Sequence, residues 1–145
     1  MIEILKTTKE DIFDIVRLEE ELLDSSIGSE MLLSELHNKY AHFLTAKLEN
    51  QVIGYIGCWI IEGECELINF VVDKKHQRQK IGTKLLEKII EISHENNASK
   101  IILEVKKTNL QAIGFYKHHH FYEIGIRKNY YPDGTDALLM RKELM

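Results

Sequence analysis

The fold of this chain is decided by residues 65–106, which run CELINFVVDKKHQRQKIGTKLLEKIIEISHENNASKIILEVK. An apolar run at 65–72 predicts a strand, and the polar, basic segment at 73–80 predicts a loop. Apolar residues at helical spacing then predict a long helix from Ile81 to about Asn96, followed by a strand at 100–106. A strand, loop, long helix and strand in this order form a βαβ unit, whose two strands should lie parallel.

The flanking sequence adds mostly antiparallel elements. Thr8 with Asp11 predicts a helix start, and helical spacing continues to Leu23 before a break at 25–28. Ser29 is predicted to cap a short helix at 30–38. The remaining predicted elements are strands at 2–6, 42–48, 51–61, 122–128 and 137–143, a helix at 110–118, and turns at 49–50, 62–64 and 131–134. The expected fold class is α/β (α+β), a mixed sheet with helices on both faces.

Size and composition restrict the class of protein. The 145 residues predict one domain spanning 1–145, and the apolar content of 44% with 29% charged residues excludes a disordered or fibrous chain. No apolar run approaches the roughly 20 residues that cross a bilayer, and the start resembles no signal peptide. A cytoplasmic protein is expected. The net charge of −4 argues against general nucleic-acid binding, and Cys58 and Cys65 are expected to be buried apolar residues.

Individual features within 65–131 suggest a site, and each has an ordinary structural alternative. The N-terminus of the long helix, with cations before it, could bind a phosphate or could be a solvated loop. Glu104, alone among apolar strand residues, could be a functional carboxylate or a strand-end residue facing solvent. Tyr116, on a short helix, could be functional or part of the core. A metal site at His118, His119 and His120 is not expected, because consecutive side chains point in different directions.

Together these features resemble a known family. Residues 66–72 (ELINFVV), 77–82 (QRQKIG), 103–105 (LEV) and 109–116 (NLQAIGFY) resemble the GNAT superfamily of N-acetyltransferases. Residues 127–137 (RKNYYPDGTDA) resemble its RimI-like branch, the ribosomal-protein alanine N-acetyltransferases. The resemblance covers nearly the whole chain and is specific from about Glu66 onward. It implies the GNAT fold, a mostly antiparallel sheet with a splayed parallel strand pair.

The resemblance also implies roles for particular residues. Glu104 matches the general base and Tyr116 the general acid, and Tyr130 and Tyr131 match residues near the peptide site. The residues that match the acetyl-CoA site are Phe70, Val71, Val72, Gln77, Arg78, Gln79, Lys80, Ile81, Gly82, Thr83 and Asn109. The implied co-substrate is acetyl-CoA, without a metal, and the implied partner is a protein or peptide N-terminus, that of an alanine-starting ribosomal protein. Neither nucleic acid nor membrane is an expected partner.

The chemistry fits an α-amine acceptor. An α-ammonium has a pKa of about 8 and a lysine ammonium one of about 10.4, so deprotonation at pH 7 costs about 1.4 and about 4.6 kcal/mol respectively. One carboxylate is therefore more nearly sufficient to deprotonate an N-terminal α-amine than a lysine side chain. A phenol can protonate the departing thiolate, and direct attack requires no nucleophilic Ser or Cys.

The sequence also departs from the family pattern. Lys80 and His120 stand where the family has Gly, and 25–29 (SSIGS) replaces the substrate-side Pro-Trp-Ser segment. If Lys80 has a left-handed backbone, the strain is about 1–2 kcal/mol. Two alternatives therefore remain: a member of the same fold acting on another amine (a polyamine, a lysine side chain or an antibiotic), and a catalytically weak acyl-CoA-binding module.

Overall fold

A computed structural model of the chain describes residues 1–23 and 28–144, with every side chain in those ranges except Leu23, Arg78 and Gln79. The strands are β1 Ile2–Lys6, β2 Ala41–Leu48, β3 Gln51–Ile61, β4 Glu64–Val72, β5 Lys100–Lys106, β6 Tyr122–Arg127 and β7 Ala137–Glu143. The helices are α1 Ile12–Leu23, α2 Ser29–Leu36, α3 Ile81–Glu95 and α4 Leu110–His118, with 3-10 turns at Lys9–Asp11 and Lys74–Gln79.

The strands form one seven-stranded sheet in the order β1-β2-β3-β4-β5-β7-β6. β4 and β5 are parallel, and every other neighbouring pair is antiparallel. This confirms the βαβ unit, because α3 is the crossover that two parallel neighbours require. The Glu49-Asn50 turn is also confirmed, since both residues have positive φ (51° and 67°), as a tight two-residue hairpin needs.

Helices cover both faces of the sheet, as the sequence predicts. On one face, α3 and α4 bury residues such as Leu85, Ile89 and Ile113 against the central strands. On the other face, α1 and α2 form a second apolar cluster with β2, β3 and β4, which includes Ile15 and Leu32. Cys58 and Cys65 are fully buried, as expected. No helix in the described parts of the chain is long and apolar enough to cross a membrane.

The parallel pair is splayed, which confirms the expectation from the resemblance. β4 pairs with β5 only where Glu64–Glu66 lie against Lys100–Ile102. Beyond this point, β4 pairs with β3 alone, and a register shift lets Ile68 bulge between the partners of Cys58 and Gly57. The bulge turns the strand, since Leu67 packs on the α3 side before it, whereas Phe70 packs there after it. The edge of β4 from residue 67 to 72 therefore faces a gap.

The first helix starts as predicted, whereas α2 differs from its prediction at both ends. The predicted start at Thr8 is confirmed, because the Asp11 carboxylate accepts a hydrogen bond from the Thr8 N–H at 3.0 Å. Ser29, however, is the first residue of α2 and not its cap. The cap is Gly28, which has no side chain with which to cap the helix. The helix ends at Leu36, two residues earlier than predicted. The predicted break at 25–28 lies, except for Gly28, outside the described residues.

Candidate active site

A cavity of about 550 Å³ opens beside the free edge of β4. We call it the donor cavity. It lies between the end of β4, the start of α3 and the start of α4, and it is lined by Phe70, Val71, Val72, Lys74, Gln77, Lys80, Gly82, Thr83, Asn109, Ala112, Phe115 and Tyr116, among others. This brings together most of the residues predicted for acetyl-CoA. Ile81 is instead a fully buried core residue, and the side chains of Arg78 and Gln79 are not described.

The start of α3 is suited to an anion. Lys84 is the first residue whose N–H closes a helical hydrogen bond, onto the Lys80 carbonyl at 3.1 Å. The amides of residues 81–83 therefore have no partner within the helix, and they carry its partial positive charge. The first turn contains no acidic residue, and Lys74 and Lys80 line the adjacent wall. Lys80 has a left-handed backbone (φ 60°, ψ 24°), the conformation for which the family uses Gly.

A second cavity of about 550 Å³ lies on the other side of the splay. We call it the acceptor cavity. Its polar lining includes Glu104, Asn69 and Tyr131. Glu104 lies on the face of β5 opposite to the buried side chains of Leu103 and Val105, and this face is half-exposed. Parallel strands are usually covered on both faces, but β5 is not, because α1 and α2 pack mainly on β2, β3 and β4.

The two cavities meet at three shared lining residues, Phe70, Asn109 and Tyr116. Tyr116 is 8% exposed and packs edge-on against Phe115 and Phe121, with ring centroids 5.7 and 5.4 Å away. Burial raises the pKa of its phenol, so the hydroxyl is protonated at neutral pH. The structural alternative is confirmed, because the ring belongs to the core; the residue also borders both cavities, and its functional role stays a prediction.

Glu104 is held by a cation from the edge strand β6, which is separated from β5 by β7. The Arg127 Nε donates to Glu104 Oε1 at 3.1 Å, and the side chains are 55% and 27% exposed respectively. Hydrogen bonding to Glu104 raises the pKa of Tyr130. Glu104 is thus neither an isolated strand-end residue nor a fully buried one.

The segment after β6 is folded over the open face of β5. Lys106 Nζ lies 2.7 Å from Asp133 Oδ2 and 5.6 Å from the centre of the Tyr131 ring. The turn at 131–134 is confirmed, since the Gly134 N–H bonds to the Tyr131 carbonyl at 2.9 Å. These contacts hold Tyr131 in the wall of the acceptor cavity, with the Tyr130 ring 5.2 Å away.

Comparisons with known proteins agree with this geometry. A sequence model of the Acetyltransferase (GNAT) family matches residues 5–121. The chain belongs to the GNAT acetyltransferase family. A Bacillus subtilis (strain 168) relative named "Putative ribosomal protein bS18-alanine N-acetyltransferase" is 34% identical over 133 residues, covering 90% of this chain and 88% of the relative.

Solved GNAT structures superpose closely on the chain. The crystal structure of the ribosomal-protein-S18-alanine N-acetyltransferase from Escherichia coli matches with a TM-score of 0.91 and 26% identity, over 99% of this chain and 94% of that one. A PaiA N-acetyltransferase from Thermoplasma acidophilum, in complex with coenzyme A, matches with a TM-score of 0.85 and 22% identity, over 99% of both chains. The chain is therefore an N-acetyltransferase with the GNAT fold.

Some of the predicted GNAT site residues also have structural tasks. Asn109 caps α4, because its Oδ1 accepts a hydrogen bond from the Ala112 N–H at 3.1 Å. Gln77 Nε2 donates to the Val72 carbonyl at 3.2 Å, so it ties the 3-10 turn to the end of β4. His120 has positive φ (70°), as its Gly-like position in the family pattern implies.

Sequence reasoning missed contacts that depend on pairing between distant strands. It assigned no role to Arg127, although this residue lies in the stretch that marks the RimI-like branch. It also overlooked Asn69, the single amide in an apolar strand, whose Nδ2 donates to the buried Glu19 at 3.2 Å. Among the described residues, no group of three metal-ligating side chains is present. His119 is half-buried, and its Nε2 lies 3.2 Å from Thr83 Oγ1.

Proposed function

We propose that this chain transfers the acetyl group of acetyl-CoA to the α-amine of a protein N-terminus, that of an alanine-starting ribosomal protein. The observation that carries the proposal is the meeting of the donor and acceptor cavities at Tyr116, with Glu104 in the acceptor cavity. The names of the Bacillus subtilis and Escherichia coli proteins support the alanine acceptor. A ribosomal-protein acceptor implies work in the cytoplasm.

The donor cavity has the features that acetyl-CoA requires. The free edge of β4 at Phe70–Val72 offers backbone groups to the pantetheine arm, which contains amides of the same kind. The first amides of α3, with Lys74 and Lys80, offer donors and positive charge to the pyrophosphate. Asn109 keeps its Nδ2 for the ligand, because only its Oδ1 is used for capping. When bound, acetyl-CoA supplies an acetyl group activated as a thioester.

The chain's own residues move the protons. Glu104 takes a proton from the acceptor's ammonium, directly or through water, and so frees the nitrogen lone pair that forms the new C–N bond. Tyr116 donates a proton to the sulfur as the C–S bond breaks, and it regains one from the nitrogen. Of the two protons that the nitrogen loses, one therefore ends on the thiol, and the other leaves through Glu104 to solvent.

The preference for an α-amine follows from the cost of deprotonation. At pH 7 a lysine ammonium costs about 3 kcal/mol more to deprotonate than an α-ammonium, from their pKa difference of about 2.4. The Glu104 carboxylate is 27% exposed and already accepts one hydrogen bond from Arg127. A single carboxylate in this position suits the amine that costs less to deprotonate.

Mass spectrometry of two matched peptides tests the proposal. One is an alanine-ended hexapeptide with a free N-terminus; the other is a matched peptide with a blocked N-terminus and an internal lysine. Each is incubated with acetyl-CoA and the protein. One acetyl group on the free N-terminus alone supports the proposal. Acetylation of the lysine alone would show that the acceptor is a lysine side chain and not an α-amine. If neither peptide is acetylated but a small polyamine is, the acceptor is a small amine. Binding of CoA without turnover of any amine would indicate an acyl-CoA-binding module instead.

A further inference from the structure

The contact between Arg127 and Glu104 joins two segments that are distant in sequence. Arg127 is the last residue of β6, and it pairs with Ala137 of β7, which pairs in turn with Lys106 of β5. The register places the guanidinium across β7 from Glu104, where Nε donates to Oε1 at 3.1 Å. The Tyr130 ring lies under the guanidinium, 6.0 Å from its carbon, so the cation is held from a second side.

We propose that Arg127 is a positioning and specificity-determining residue for acetyl transfer. Its Nε donates to Oε1 and so fixes the rotamer of Glu104 with the carboxylate in the acceptor cavity, where the ammonium of the acceptor binds. This inference rests on the proposed function, because it takes Glu104 as the base. A free glutamate side chain samples several rotamers and loses conformational entropy when it is fixed in one. Because Arg127 already holds Glu104 in one rotamer, this entropy is not lost when the acceptor binds.

The charge of Arg127 has a second consequence, for the choice of acceptor. A guanidinium does not lose its proton in proteins, so this positive charge is permanent. Nearby, the Lys106 charge is matched by Asp133 at 2.7 Å, and the Glu104 charge is matched by Arg127 itself. An acceptor with one ammonium binds Glu104 beside the Arg127 contact. An acceptor with a second ammonium close to the first meets the Arg127 charge and is disfavoured.

Three substitutions of Arg127 separate orientation from charge. Arg127→Ala removes both, Arg127→Gln keeps an N–H donor without the charge, and Arg127→Lys keeps the charge without the planar fork. Arg141→Ala is the matched control, because Arg141 Nε donates to Glu143 Oε1 at 2.7 Å in a similar surface ion pair on β7. Each variant is first checked for its melting temperature and for binding of CoA.

The readouts are kcat and KM for the alanine-ended peptide and for 1,4-diaminobutane. Arg127→Ala is expected to lower kcat for the peptide about tenfold without raising its KM, and Arg127→Gln to recover part of that loss. The ratio of kcat/KM for diamine over peptide is expected to rise about threefold to tenfold in the Ala and Gln variants, and not in the Lys variant. A residue that merely stabilised the edge strand would not move this ratio.

Distinct results separate the inference from the proposed function. If the wild type acetylates the peptide and the Arg127 variants match the Arg141→Ala control, the inference is overturned and the function stands. If the wild type acetylates no amine, the proposed function fails, and the inference fails with it. Should Arg127→Ala not fold, the Gln and Lys variants decide: equal kcat and equal diamine preference in these two would overturn the inference.

Discussion

Replacing Lys80 by glycine should stabilise the protein and weaken its binding of CoA. Lys80 precedes α3 with φ 60° and ψ 24°, a left-handed conformation that costs a non-glycine residue about 1–2 kcal/mol. Glycine removes this strain, but it also makes the unfolded chain more flexible, and this offsets about 0.4–1 kcal/mol of the gain in stability. The expected net gain in the free energy of unfolding is therefore about 0.5–1 kcal/mol, or about 2–4 °C in melting temperature for a chain of this size.

Lys80→Ala is the matched control, because it keeps a Cβ in the left-handed conformation and loses the same charge. Lys80 lines the donor cavity, so both variants remove one cation from the anion site. At a partly exposed site, a cation a few ångström from a phosphate contributes about 1 kcal/mol to the free energy of binding. Both variants should therefore bind CoA about fivefold more weakly. Thermal unfolding and calorimetric titration with CoA measure the two effects. If Lys80→Gly is no more stable than Lys80→Ala, the strain argument is refuted.

Further substitutions test the acid, the packing between β2 and β3, and the buried polar contact. Tyr116→Phe should lower kcat about 100-fold or more, measured by release of CoA thiol, while CoA binding persists. Gly57→Ala should destabilise the fold by about 1–3 kcal/mol in chemical denaturation, because a Cβ there would lie 2.2 Å from the Phe43 ring. Tyr55→Phe should cost about 1.5–3 kcal/mol, because its hydroxyl donates to the carboxylate of Glu19, a residue that is 1% exposed.

Matched variants give these predictions their controls. Gly114→Ala meets no atom within 4 Å, so it should not destabilise the fold as Gly57→Ala does; equal midpoints for the two would contradict the packing argument. Tyr40→Phe changes an exposed tyrosine and should leave stability within about 0.5 kcal/mol. A Tyr55→Phe variant as stable as this control would rule out the buried hydrogen bond. Undiminished turnover in Tyr116→Phe would remove Tyr116 as the acid.

The elements that sequence alone predicted are those with a strong local signal. A short apolar run at β4 gives way to apolar residues at a period of 3.6 in α3, so the βαβ unit and the helix start at Ile81 were predicted correctly. The resemblance to the family added the splay and the left-handed position of Lys80. The cap of α2 was misassigned, because Gly28 and Ser29 are both acceptable cap residues and only the backbone distinguishes them.

What could not be predicted depends on contacts between distant strands. The bulge at Ile68 leaves no mark in the apolar pattern, yet it turns Phe70 toward α3 and Asn69 toward α1. The pairing of Arg127 with Glu104 requires the register of β5, β7 and β6 together, and a change of one residue in either pairing would separate them.

The most direct test of the central claim, that Glu104 serves the acceptor side of a two-cavity transferase, is the Glu104→Gln variant. Its kcat/KM for the alanine-ended peptide is compared with its Kd for CoA, and Glu66→Gln, an exposed carboxylate on β4, is the control. We expect kcat/KM to fall about 10²–10⁴-fold with an unchanged Kd for CoA, and the control to resemble the wild type. Undiminished acetylation of the peptide by Glu104→Gln would contradict the account.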